Sequence, residues 1–453
     1  MRVWAIRFAL LVGVFAVATV AVLGFSPGDV EVDGRAYDAG RRFLQTYVAR
    51  DGRVVRRDPG GDTVSEGQAY GMLIAVALDD EDTFRRIWWW TRTHLQRSDG
   101  LLSHRWADGS VADPEPATDA DLDTTHALLL AAGRFDNPVL GDDAQQIARG
   151  ILAKETARVH TAASDAEANG EQITPDGALV LVAGPWAHPD GGGTQRLIVN
   201  PSYFSEPAFS ALKAATTNRA WTMLATSSYD LLRALTEDGA LPPDWATADT
   251  SGRMRPIGAP NDPKARPLHG LDGARVVVRA AVSCKPAWRQ LAASAARTYP
   301  PADDLRLRLT LDGRPASDEN HPLMLVAAAA AAHAAGDTPA SATQLLDEAE
   351  QLERRHPSYY GAAWVALGRL CRRTVLGLKP RSRHGREARA KLPGQPLGRA
   401  CGSCFDESAT FALAAGGTHD ARWRSLASSA RAIPRLGTDP ALDAVEQQSE
   451  HSA

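Results

Sequence analysis

The chain has 453 residues, 44% hydrophobic and 23% charged, which excludes a mostly disordered chain, a collagen and a polytopic membrane protein. Fifty basic against 54 acidic residues leave a formal charge of −4, so no global basic field argues for nucleic acid as a partner. Length alone suggests about three domains, although a single large α-toroid or barrel can take up most of such a chain.

The N-terminus speaks to the compartment. Arg2 and Arg7 precede an uncharged run from Phe8 to Gly28, the positive and apolar regions of an export signal. The stretch from Phe8 to Phe25, 18 residues, is also just long enough to span a bilayer. Residues 1–28 therefore read as a signal peptide or an uncleaved anchor, the chain's one link to a membrane. The positive-inside rule places everything after Asp29 outside the cytoplasm, secreted or anchored.

From about residue 35 to 376 the pattern is helical. Tyr70, Leu73, Ile74, Ala77 and Leu78 fall on one helix face, and Tyr360, Trp364, Leu367 and Cys371 repeat it later. Further helical windows cover 122–135, 144–154, 206–216, 219–235, 272–284, 323–335 and 340–355; strand signals are few, chiefly Leu179–Val182. Breakers such as Asp58-Pro59-Gly60-Gly61, Asp113-Pro114-Glu115-Pro116 and Leu241-Pro242-Pro243-Asp244 separate them as loops. Paired helices in a closed array, with function in the loops at one end, are the expected architecture.

Residues 377–400 read as a basic linker or insertion, 401–437 as a helical extension and 438–453 as a disordered polar tail. Cys284, Cys371, Cys401 and Cys404 are too few for a disulfide scaffold. Cys401-Gly-Ser-Cys404 lacks the βαβ context of a redox motif and the further ligands of a zinc site, which leaves a structural disulfide or buried thiols.

Three acid-bearing motifs could carry chemistry. In Ser65-Glu66-Gly67-Gln68-Ala69-Tyr70-Gly71-Met72, the spacing Thr63-x-x-Glu66 fits a capping box, a purely structural role. Gly67 and Gly71 weaken that same helix, which implies a close approach to its backbone, and a buried carboxyl there is a candidate acid. In Thr118-Asp119-Ala120-Asp121-Leu122-Asp123, a calcium loop is excluded because Thr124 and Leu130 stand where Gly and Glu are needed. There one carboxylate is expected to cap the helix and another to face the cleft. In Leu271-Asp272-Gly273-Ala274-Arg275, Asp272 either complements the helix dipole or acts as a base, with Arg275 on the same face able to hold its charge. Trp106, Trp186, Tyr203, Phe204 and Trp245 fall in expected loops or helix entries and suit a groove in which sugar faces stack on rings.

Taken in order, these motifs together with Asn200-Pro201-Ser202-Tyr203-Phe204, Leu241-Pro242-Pro243-Asp244-Trp245 and Tyr359-Tyr360-Gly361-x-Ala363-Trp364 resemble the signatures of glycoside hydrolase family 8. The resemblance covers about residues 35–376, within a catalytic domain bounded at 29–376. It implies an all-α (α/α)6 toroid of helical hairpins and inverting endo-cleavage of β-1,4-glucan, as in bacterial cellulases. It carries the general acid onto Glu66, the general base onto Asp272 and a catalytic or substrate-distorting role in the central subsite onto Asp119. Tyr70, Trp106, Asp121, Tyr203, Trp245 and Arg275 become candidate substrate contacts. No metal or organic cofactor is required. The expected partner is the polysaccharide itself, with a cellulose or exopolysaccharide synthesis complex as a further candidate. Two rival readings stay open: a hydrolase of xylan, chitosan or another exopolysaccharide, and a catalytically silent polysaccharide-binding subunit of an envelope export machine.

Overall fold

The computed structural model describes residues 34–375, apart from 59, 160–177, 189–195, 250–251 and 263. The export segment, the basic segment, the extension, the tail, Cys401 and Cys404 lie outside the described residues.

Twelve α-helices are described. They are α1 (Gly34–Tyr47), α2 (Ser65–Ala77), α3 (Glu81–His94), α4 (Thr118–Arg134), α5 (Pro138–Lys154), α6 (Glu206–Thr216), α7 (Ala220–Leu235), α8 (Leu271–Ala281), α9 (Pro286–Ala295), α10 (Pro322–Ala335), α11 (Pro339–Arg355) and α12 (Tyr359–Val375). Their burial alternates along the chain. Helices α2 and α10 are apolar on nearly every face and almost wholly buried, whereas α3 and α11 bury one stripe and turn charged residues outward. A helix apolar all round must be enclosed, and an amphipathic one can cover it.

The packing partners convert this alternation into a ring. The even-numbered helices pack in the cycle α2–α4–α6–α8–α10–α12 and back to α2. Each also packs on an odd-numbered helix next to it in sequence: α2 on α3, α4 on α5, α6 on α7, α8 on α9 and α10 on α11. Helix α12 takes α1 as its partner, so the first and last described helices close the circle. This is the (α/α)6 toroid. Because every second helix in a chain of hairpins runs the same way, the six inner helices start at one rim.

Side-chain caps occur in both rings; inner helix α10 begins with His321 accepting from the Leu323 amide, while outer helices α7 and α9 have none. Outer helices α3, α5 and α11 begin with Asp80, Asn137 and Thr338 accepting from a first-turn amide. Inner helices α2, α4, α6 and α8 begin at Val64, Ala117, Ser205 and Gly270 with no side-chain cap. Both expected capping motifs are therefore corrected. Thr63 donates its hydroxyl to the Val54 carbonyl, and Asp121 accepts from the Leu102 amide, so neither belongs to a box. The two helix glycines are explained by packing: a Cβ at Gly67 would stand 2.6 Å from the Tyr359 hydroxyl, and one at Gly71 would stand 2.9 Å from Val54.

Strands are more numerous than the sequence pattern suggested. The expected strand near Leu179 is present as Ala178–Leu181, paired with Thr156–Val159. A three-stranded sheet joins Thr63–Val64 (β1), Ser103–Ala107 (β2) and Ser110–Pro116 (β3), and another joins Arg196–Val199, Trp245–Asp249 and Met254–Ile257. The segment Asp113–Pro116, expected as a loop, is thus strand, as are Trp106 and Trp245. The β2–β3 turn is Asp108-Gly109, with φ of 50° and 82°, the paired positive values that a two-residue hairpin of right-handed twist needs.

Candidate active site

The acids meet where the inner helices begin. Glu66 occupies the first turn of α2, Asp119 and Asp121 that of α4, and Asp272 that of α8. Arg275, one turn into α8, joins two of them. Its Nη1 donates to Asp119 Oδ2 at 2.6 Å and its Nη2 to Asp272 Oδ1 at 2.6 Å. One turn further on, Arg279 donates to both oxygens of Asp123 at 2.8 and 2.7 Å. Asp119 and Asp123, like Arg275 and Arg279, are four residues apart and share a helix face. The two inner helices are thus tied by two successive buried ion pairs, each spanning 156 residues of sequence.

The charges are not fully matched by protein. Asp119 gives one oxygen to Arg275, but its Oδ1 has no hydrogen-bond partner, and neither has Glu66 Oε2. An unpaired buried acceptor is costly and calls for a reason, and a ligand hydroxyl would satisfy it. Burial pushes the Glu66 carboxyl above its ordinary value, Asp119 pushes it further, and His104 draws part of that back. A carboxyl raised in this way holds its proton to higher pH than an ordinary glutamate and is placed to give it away. Asp272 is about as open as Glu66, with 25% of its side chain exposed against 23%, but differs in its partners, accepting from Asn200 Nδ2 at 2.9 Å as well as from Arg275.

The candidate substrate contacts divide. Tyr203 lies half-buried with the Arg275 guanidinium over its ring at 5.6 Å, and Trp245 is half-buried beside Asp244. Tyr70, Asp121 and Arg275 are corrected to supporting positions. Tyr70 is 1% exposed and its hydroxyl accepts from Arg275. Two helix positions beyond Asp119 is about 200° around the axis, so Asp121 points the other way. It is fully buried, facing Glu155. Burial lifts both; Glu155 pushes Asp121 further, while Thr118 and Asp121 draw Glu155 partly back to about 8, so the pair holds a proton and cannot meet a sugar. The Arg275 guanidinium is enclosed by Tyr70, Asp119 and Asp272 and acts on those carboxylates. The Trp106 ring packs edge-on against Trp90 and His94 of α3, on a cluster with Leu95 and Leu102.

Sequence reasoning passed over four side chains. Asn200 and Asp244 lay inside quoted motifs without a role. Asp244 Oδ1 accepts from the Gly270 and Gly273 amides at 2.8 Å each, fixing the start of α8, and burial with Asp272 nearby lifts it to about 7. His104, 3.8 Å from Glu66, and Asp113, 3.0 Å from His104, carried no local signal. Among the described residues, no group of three or more His, Cys, Asp or Glu could hold a metal ion.

Residues 30–259 match the family model Glycosyl hydrolases family 8. The matched span ends before Asp272. The chain is 32% identical over 210 residues to a probable endoglucanase of Novacetimonas hansenii, covering 45% of this chain and 55% of that protein. It is 29% identical over 226 residues to an endoglucanase of Cellulomonas uda, covering 49% and 58%. The matches thus span little more than half the length of these relatives. Among solved structures, the endo-beta-1,4-glucanase CMCax of Acetobacter xylinum superposes with a TM-score of 0.59 at 26% identity, over 74% of this chain and 96% of that one. With half of its residues matched by the family model and its helices closed into the ring described above, the chain belongs to glycosyl hydrolases family 8.

Proposed function

We propose that the protein is an endo-β-1,4-glucanase that hydrolyses its substrate with inversion. Glu66 protonates the leaving glycosidic oxygen as the C1–O bond breaks. Asp272 takes a proton from a water that attacks C1 from the opposite face. Asp119, with one oxygen on Arg275 and the other unpaired, accepts from a hydroxyl of the central sugar, and Tyr203 and Trp245 offer it their rings. The observation that carries this reading is the chain of groups Glu66, Asp119, Arg275 and Asp272 at one rim. At one end burial raises a carboxyl's hold on its proton, and at the other a carboxylate lies 2.6 Å from a guanidinium. The names of the relatives support β-1,4-glucan as substrate. The charged start and apolar run of residues 1–28 support a catalytic domain working outside the cytoplasm, beside a polysaccharide synthesis machine or free of it.

A reducing-end assay on carboxymethylcellulose, xylan and chitosan in parallel tests the substrate. Carboxymethylcellulose should be cut fastest, with the activity recovered from the extracytoplasmic fraction of the producing cell. Faster release from xylan or chitosan would replace the substrate, and binding to all three with no release would leave a polysaccharide-binding protein.

A further inference from the structure

His104 is close to the acid for a reason that lies in the β2–β3 pairing. Ser103 pairs with Pro116, Arg105 with Asp113 and Trp106 with Val111, so β3 carries an extra residue on each side of Asp113. In a regular antiparallel pair Asp113 would share a face with Arg105 opposite it, and His104 would point to the other face. Bulges re-aim side chains, and Pro114 and Pro116, which have no N–H to donate, suit a broken ladder. Arg105 turns instead to Asp62, at 2.7 Å.

Asp113 is thereby free for the histidine. Its Oδ1 accepts from the Glu115 amide at 3.1 Å, and its Oδ2 lies 3.0 Å from His104 Nδ1. A proton on Nδ1 serves Asp113 and leaves Nε2 facing Glu66 Oε2 at 3.8 Å. This arrangement suits both states of the pair. A neutral imidazole offers Nε2 as acceptor to the acid's proton, and an imidazolium offers N–H to the carboxylate.

Resting on the glucanase reading above, we propose that His104, oriented by Asp113, is a positioning residue for Glu66 whose imidazolium stabilises the carboxylate formed as the proton passes to the leaving oxygen. The other groups facing Glu66 are Asp119 from α4, Arg275 from α8, Tyr359 from α12, Tyr203 from the turn before α6 and Arg56 from the loop before β1. Those facing His104 are Glu66, Asp113 and Asp119. Burial works against charge on His104, but the carboxylates prevail and raise its proton affinity.

The test has two arms on the full chain. NMR titration of the His104 imidazole, assigned by its loss in H104Q, should give a midpoint above the ordinary value of about 6.5. That midpoint should fall by at least about half a unit in both E66Q and D113N. A midpoint unmoved by E66Q would overturn the proposal. In the second arm, kcat/KM is followed against pH. An imidazolium favours the Glu66 carboxylate, so H104Q should move the basic limb to higher pH and lower the plateau about tenfold. H104K, which keeps a cation, should bring the limb back toward wild type, and a limb unchanged in H104Q would also overturn it. If the unaltered chain released no reducing ends, the glucanase reading would fail while the titration still decided whether the pair exists.

Discussion

Replacing Glu66 with Gln is expected to lower kcat/KM on a β-1,4-glucan by about 10²–10⁴-fold, the usual worth of a positioned general acid. Thermal stability should hardly change. Helix α2 starts at Val64 without a side-chain cap, and Glu66 Oε2 has no hydrogen-bond partner to lose. The amide also removes a buried carboxyl that Asp119 repels. An aryl glycoside with a strongly acidic leaving group needs no proton from the enzyme, so E66Q should lose far less on it. An equal loss on both substrates, or a lowered melting temperature with turnover retained, would reduce Glu66 to a structural residue.

The second large effect is expected at Arg275. It is 4% exposed and the shared partner of Asp119 and Asp272, so Arg275→Met leaves a buried carboxylate without its cation. Breaking one partner of a buried pair costs about 3–5 kcal/mol, much of it from the bare charge left behind. Activity should fall with it, since both acids lose the group that fixes their geometry. A second substitution separates this from lost packing: with Asp119→Asn already in place there is no bare charge at that position to leave behind, so Arg275→Met should cost less stability in that background. Denaturant unfolding of the four proteins measures it. An equal cost in both backgrounds would mean that Arg275 acts through its hydrocarbon stem alone.

The helices were legible because their apolar faces repeat at helical spacing, and a helix such as α10, apolar on nearly every face, announces its own enclosure. The small strands were not. They run for two to seven residues and depend on partners outside themselves, as Thr63 and Val64 depend on Trp106 and Arg105. One was available: Asp108-Gly109 is a strong hairpin signal, overlooked beside the two prolines of Asp113–Pro116. At the site, the first-turn acids could be picked out one by one, but their partners could not. Nothing local says that Arg275 reaches 156 residues back to Asp119, which follows only from two inner helices running in the same direction. The spacing of Thr63 and Glu66 matched a capping box, yet the tertiary bond from Thr63 to Val54 took the hydroxyl first. His104 was the hardest to see, since its place depends on two bulges in the neighbouring strand.

If Glu66 and Asp272 work as acid and base, water must stand between Asp272 and the sugar. Proton NMR of the first products from a soluble β-1,4-linked oligosaccharide, recorded before mutarotation, shows whether it does. A water delivered from the face opposite the leaving oxygen inverts C1, so the new reducing end should appear first as the α-anomer. Initial β-anomer would require a covalent glycosyl-enzyme, and Asp272 could not then be the base.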